Sequence, residues 1–281
     1  MIDLTSHCWC VAPWLTFVAC APAFGQDTAP LQTISPRARA AFGQSSPIPS
    51  DEQASEAERR ISYGVETAFS SGHADRGFII SDRPVVQPVL WLSRSGAEFS
   101  LWGNLTLAQT TDRSRPEILE MELTREHKWS KLSVAPAVRM FFYHDALNRD
   151  NTRSVEGWLY LSYQAGPVRL FSNHSLDVLT YRGAYFGEAG IEAEGHVAHR
   201  VEIGSSFAAG WASSRFNDAY ADIAKSALDR ISLEGWLTAH LNSRLYIGPH
   251  FEFSTIADRA VRAGLIRPTY CLVRLTTGAE F

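Results

Sequence analysis

From Ile61 onward, large apolar residues recur at every second position. In 97–108, Phe99, Leu101, Leu105 and Leu107 alternate with Glu98, Ser100, Trp102, Asn104 and Thr106. In 132–143, Leu132, Val134, Val138, Met140 and Phe142 alternate with Ser133, Ala135, Ala137 and Arg139. In 244–255, Leu245, Ile247, Phe251 and Phe253 alternate with Arg244, Tyr246, His250 and Glu252. A strand places i and i+2 on one face, whereas a helix spreads them. Twelve such segments are legible, at about 61–70, 85–93, 97–108, 117–126, 132–143, 154–163, 167–178, 185–194, 200–211, 228–240, 244–255 and 269–281. The chain is therefore expected to be all-β.

The connections alternate in length. Long ones at 71–84, 109–116, 144–153, 212–227 and 256–268, and a medium one at 179–184, take turns with short ones at 94–96, 127–131, 164–166, 195–199 and 241–243. In an up-and-down antiparallel barrel, successive connections emerge at opposite ends, and membrane barrels keep short turns at one end and long loops at the other. A soluble sandwich has no reason to sort its loops in this way.

Volume decides which face points outward. Twelve strands enclose more than the roughly eight-stranded bore that side chains can fill. An apolar interior of that width would be left hollow. Turning the apolar face to lipid leaves a polar face lining a wet lumen, and closure leaves no unpaired strand edge in the bilayer. The expected fold is a transmembrane antiparallel up-and-down β-barrel of about 12 strands over 61–281. Val273, Leu275, Ala279 and the terminal Phe281 share the lipid face of the last strand, the pattern of an assembly signal read by the outer-membrane barrel-assembly machinery.

The remainder of the chain agrees. Residues 8–23 are apolar and end in Ala19-Cys20-Ala21-Pro22-Ala23, which reads as a signal peptide over 1–26 cleaved between residues 23 and 26, although no Lys or Arg precedes the apolar core. Lipidation of Cys20 is the other reading of that segment. Removal of the leader takes Cys8, Cys10 and Cys20 with it and leaves Cys271 without an internal disulfide partner. Residues 27–60 contain Pro30, Pro36, Pro47 and Pro49 among Ser, Gln and Ala, the composition of a flexible Pro/Ser-rich segment. Beyond the leader no apolar run approaches the roughly 18 residues of a spanning helix. The formal net charge of -4 argues against nucleic acid as a partner.

With the apolar face outward, the inward residues follow. The acids are Glu66, Glu98, Glu120, Glu122, Glu156, Asp177, Glu188, Glu192, Glu194, Glu202, Glu234, Glu252 and Glu280; the bases are Arg139, Arg169, Arg230, Arg244 and Arg274. Thirteen carboxylates against five arginines make an acidic lumen, and one sign of charge along a low-dielectric conduit concentrates the opposite ion. Trp91, Trp102, Trp158, Tyr160, Trp236 and Tyr246 also face inward. They are read first as space-filling or girdle residues, and second as stacking platforms for a sugar or aromatic solute.

Catalysis and metal binding are weighed on two clusters. Ser172 and His174 lie two apart on one strand face, which is the lipid face, and spacing alone brings no acid or amide beside them to orient the imidazole. Glu188, Glu192 and Glu194 with His196 and His199 lack a tight ligand spacing, the histidines falling in a turn. Neither cluster reads as an active site, and no cofactor is expected.

The run Ile61-Ser62-Tyr63-Gly64-Val65-Glu66, followed by Arg76-Gly77-Phe78, Ser81-Asp82, Pro84, Gln87-Pro88 and Trp102-Gly103-Asn104, resembles the TorF-like porin family of bacterial outer-membrane proteins. Glu120, Glu122, Glu156 and Gly183-Ala184-Tyr185-Phe186 extend the resemblance, while Ala74-Asp75 departs from the aromatic residues of the family pattern. The resemblance implies an exported barrel and a porin, with no catalytic residues to carry over. The combined expectation is a bacterial outer-membrane porin. It would sit in lipid and lipopolysaccharide and let small hydrophilic solutes, cationic or neutral, diffuse through an acidic lumen. Two alternatives stay open: a non-conducting barrel acting as scaffold or receptor, and a lipid-hydrolysing barrel enzyme.

Overall fold

The structure is a computed structural model that describes residues 61–107, 117–144 and 153–281. The leader expected at 1–26, with Cys20, and the tail at 27–60 lie outside the described residues. The strands in chain order are β1 (Ser62–Ser70), β2 (His73–Asp75), β3 (Phe78–Ser81), β4 (Val85–Arg94), β5 (Ala97–Thr106), β6 (Glu117–Arg125), β7 (His127–Trp129), β8 (Leu132–His144), β9 (Arg153–Ala165), β10 (Val168–Asp177), β11 (Tyr185–Ala198), β12 (Val201–Ala212), β13 (Ala227–His240), β14 (Leu245–Ile256) and β15 (Thr269–Glu280). Two helices lie in the last two long connections, α1 (Ser214–Ala221) and α2 (Arg259–Gly264).

Twelve of these strands form one ring. Each pairs antiparallel with its neighbour, from β4 through β5 to β6 and from β8 through to β15. The first and last strands pair with each other, Val65 opposite Ala279, and β6 pairs with β8, Met121 opposite Met140, so the sheet closes. The expected strand boundaries hold to within a few residues except in β11. That strand runs on to Ala198 through an irregularity near His196, and Ala198 still pairs with Val201, leaving His199-Arg200 as the turn. Gly195 is a strand residue here, because a two-residue hairpin turn suffices.

The alternation seen in the sequence is the alternation of the wall. Tyr63, Val65 and Phe69 of β1 face outward while Gly64, Glu66, Ala68 and Ser70 are buried inside. Around the ring, outward residues stay open to the surroundings, Phe207 at 48 % and Val273 at 58 %, whereas inward Glu120 and Glu122 are each at 2 %. The outward residues make an apolar band, and aromatic side chains sit outward at both ends: Tyr63, Tyr163 and Phe281 at the short-turn end, Phe69, Phe142, Tyr185 and Trp211 at the long-loop end. A closed wall that is apolar outside, charged inside and girdled by aromatics is an outer-membrane-type β-barrel.

The long connections carry structure that period-two reading does not show. Ser213 caps α1 by accepting a hydrogen bond from the backbone N–H of Phe216, and Asp258 caps α2 by accepting from those of Ala260 and Val261. Lys225 and these backbone N–H groups hold the Asp258 carboxyl below the usual carboxylate range. Phe216 and Val261 of the helices pack with Phe78, Ala184, Phe186, Ala212 and Ile256 into an apolar cluster at the long-loop end.

Candidate functional site

The lumen is the site, and its wall aromatics are shaped by glycine. Trp91 lies against Gly64, Trp236 against Gly204 and Tyr246 against Gly278, each glycine being the cross-strand partner of its aromatic residue. A Cβ at these glycines would stand 2.6, 2.2 and 2.3 Å from the rings. The rings therefore lie flat on the wall rather than reaching across the bore. Tyr246 also donates through its hydroxyl to Glu66 at 2.6 Å. Trp102 sits with its ring centroid 5.3 Å from that of His73.

The charged residues gather on two walls. On β6, β8 and β9, Arg139 donates to Glu122 and to the Tyr160 hydroxyl and lies 3.5 Å from Glu120. Its guanidinium carbon is 3.9 Å from the centroid of Trp158, whose ring stacks on Tyr160 at 5.6 Å. Tyr160 in turn donates to Glu122 at 2.9 Å. On β11, β13 and β14, Arg230 reaches Glu188, Glu234 and Glu252, each at 3.1 Å, and His250 stands 3.2 Å from Glu234. Tyr270 donates to Glu252 at 2.9 Å. Nearer the short turns, Arg169 holds Glu192 with two hydrogen bonds of 3.0 and 2.6 Å. Removing one member of such a buried group leaves its partner's charge uncompensated, which is the costly outcome.

Glu98, Asp177, Glu202 and Glu280 are likewise buried on the inner side. Arg274 faces inward beside His250, its cross-strand partner. Arg244 is a correction. It lies in the turn between β13 and β14, exposed, with its guanidinium 5.5 Å from the ring of Phe281. The strand period projects inward only while the residue is within the wall, and Arg244 is beyond its end.

A cation that periodicity could not find takes its place. The first long connection is a hairpin, β2 and β3, turned into the bore. At its tip Arg76 donates to both Glu156 oxygens at 2.9 and 3.1 Å, to Ser175 at 3.3 Å and to the Tyr220 hydroxyl at 2.6 Å. Arg76 also pairs with the adjacent Asp75, Nη2 to Oδ2 at 2.8 Å. The only sequence cue was Arg76-Gly77 ahead of the apolar Phe78-Ile79-Ile80, a two-residue turn signal too weak to show which way the hairpin folds. With Arg76 in, Arg244 out, and Asp75 carried in on the same hairpin, carboxylates still outnumber arginines on the inner side.

On the outer face, Ser172 Oγ lies 3.0 Å from His174 Nε2, so the pair seen in the sequence does meet. Its third member is the Tyr185 hydroxyl rather than an acid or amide. His196 sits on the extension of β11 rather than in a turn, 3.6 Å from Glu202, with His240 3.7 Å from the same carboxylate oxygen. Among the described residues no group of His, Cys, Asp or Glu has the arrangement to hold a metal ion.

No protein-family model matches the chain, and no curated protein does. Among solved structures, the chain is similar to the KdgM porin at 9 % identity, covering 78 % of this chain and 98 % of that one with a TM-score of 0.45. It is similar to the NanC porin at 14 % identity, with 78 % and 98 % coverage and a TM-score of 0.46. An outer membrane channel from Pseudomonas putida F1 matches at 11 % identity, with 79 % and 96 % coverage and a TM-score of 0.48. The barrel assignment rests on the pairing and burial of this chain itself.

Proposed function

We propose that the barrel is an outer-membrane channel for passive diffusion of small hydrophilic solutes, cationic or neutral. The observation that carries this reading is the inner charge of a closed wall, on which carboxylates outnumber arginines. Acidic linings favour cations, and a low-dielectric wall strengthens the effect. The resemblance of the first strands to TorF-like porins supports the same reading.

The test is the reversal potential of purified protein in a planar bilayer under a KCl gradient. Glu66, Glu98 and Glu280 changed together to Gln leave the braces of Arg76, Arg139 and Arg230 intact. We expect cation selectivity in the parent, reduced in the triple variant and weakened in concentrated salt, where the screening length falls to about 3 Å at 1 M. Anion selectivity of the parent would sink the acidic-lumen reading. A second reading, a non-conducting scaffold or receptor, is favoured by the hairpin that lies in the bore, and zero conductance of every variant would select it.

A further inference from the structure

The β2–β3 hairpin meets the inner wall on all sides. At its base, His73 lies against Trp102 of β5 and its Nδ1 is 3.2 Å from Gln87 Nε2 of β4. At its tip, Arg76 is bonded to Glu156 of β9 and Ser175 of β10. A Cβ at Gly77 would stand 3.0 Å from Ile256 of β14 and 3.3 Å from Arg230 of β13. A segment that touches β4, β5, β9, β10, β13 and β14 at once crosses the bore rather than lining it.

The tip is held in one place by two devices. Arg76 adopts a left-handed backbone, φ +49°, and Gly77 follows at +97°. That conformation disfavours a residue bearing a Cβ, and such residues persist where the surroundings over-determine them. The surroundings here are the Glu156 carboxylate, which grips the guanidinium within hydrogen-bond distance with 5 % and 4 % of the two side chains exposed, and the rings of Phe216 and Tyr220, 5.0 and 5.1 Å from the guanidinium carbon. The second device is Phe78, seated in the apolar cluster against Phe216 at 6.0 Å and Tyr220 at 5.9 Å. Both devices tie the hairpin to α1, the helix of another long connection.

We propose that this hairpin is a plug that gates the lumen, and that Arg76 is the residue that latches it, through Glu156 on the wall and Tyr220 on α1. The inference rests on the channel reading and goes beyond it: the acidic bore decides which ions are favoured, and the hairpin decides whether they pass. Opening breaks the Arg76 bonds to Glu156 and lifts Phe78 from its cluster. The wall strands need not move, because the hairpin's covalent connections to them are only at Ser70 and Val85. Nη1 of Arg76 donates to both Glu156 oxygens while Nη2 donates to Tyr220, and charge-assisted contacts in two directions give the closed state a single defined position.

The test uses the full-length protein in planar bilayers, with folding checked by heat-modifiable mobility. The variants are Arg76→Ala, Glu156→Gln, and replacement of 73–81 by a Gly-Ser linker. Arg76→Ala is expected to raise the open fraction by roughly tenfold or more, the scale for loss of a charge-assisted hydrogen bond. The linker variant is expected to conduct several-fold more per channel. A parent that conducts, with a linker variant that conducts no more, overturns the plug and leaves the channel reading standing. A parent and a linker variant that both fail to conduct overturn the channel reading and the gate together. An independent readout is thiol labelling of Ser206→Cys, an inward position of β12, in a Cys271→Ser background, with a water-soluble reagent added from the long-loop side. Faster labelling in the linker variant supports the plug, and equal rates count against it.

Discussion

The hydroxyl of Tyr185 stands 2.8 Å from Nδ1 of His174 on the outer face of the barrel, where a titratable ring meets lipid. The contact belongs to a chain in which each donor is used once. Trp211 Nε1 donates to Tyr185 at 3.3 Å, Tyr185 donates to His174 Nδ1, His174 Nε2 donates to Ser172 at 3.0 Å, and Ser172 donates to the backbone carbonyl of Glu188 at 3.0 Å. This assignment of the ring proton follows from Ser172, whose single proton goes to the Glu188 carbonyl, so that Nε2 carries the proton in their contact. Polar groups on a lipid face are tolerated when they satisfy one another. In this arrangement His174 donates to Ser172 instead of accepting its proton, the reverse of an activated serine.

Tyr185→Phe removes one link of that chain and leaves His174 Nδ1 without its donor. The expected cost is about 1 kcal/mol, within the range for an interhelical or lipid-facing hydrogen bond in a membrane. It should appear as a lower urea midpoint for loss of the heat-modifiable form. Covalent labelling of Ser172 by an alkyl phosphonate ester, with loss of labelling in His174→Ala, would restore the lipid-hydrolase reading.

Gly204→Ala should be among the more damaging single-methyl changes in the wall. The added Cβ would lie 2.2 Å from Trp236, whose ring lies flat against the facing strand β12. Over-packing of this kind costs about 1–3 kcal/mol. Gly157→Ala is the control, since nothing lies within 4 Å of its Cβ position. Equal midpoints for the two variants would show that Trp236 moves freely.

Removal of Phe281 is expected to impair assembly while leaving export intact. Its N–H donates to the Tyr63 carbonyl at 2.8 Å, the Tyr63 N–H donates to its carbonyl at 3.1 Å, and the two rings stack at 5.4 Å. The last residue therefore joins the two ends of the wall at the seam between β1 and β15. Folded, heat-modifiable protein at parental levels in the membrane fraction of the deletion strain would refute the expectation.

Spin labels offer a check on which face meets lipid. Nitroxides at Met140, Phe207 and Phe253 should be relaxed mainly by oxygen, which dissolves in the bilayer. Those at Glu66 and Glu192 should be shielded from it. Glu66 and Glu192 are 7 % and 6 % exposed inside the wall, and Phe207 is 48 % exposed outside it. Strong oxygen relaxation at Glu66 would mean that the wall is turned inside out.

The wall was legible in the sequence because it is a local property. A strand in a bilayer must present apolar groups on alternate residues, so Leu105 and Leu107 or Phe251 and Phe253 declare their face without knowledge of their neighbours. Strand order followed from the alternation of long and short connections. Tertiary structure alone decided what lies inside. Thirteen inward carboxylates can be listed from period two, but the partner of Glu156 is Arg76, which lies 80 residues earlier in a connection with no periodicity to read. Separation along the chain likewise hid the flattening of Trp236 onto Gly204, and the exact end of β13–β14 pairing, which leaves Arg244 in the turn at the rim, is set by the folded sheet. Alternation tells a side chain which side of the wall it is on. What it meets there depends on closure of the ring and on the direction in which a loop folds, and both are set by packing between residues far apart along the chain.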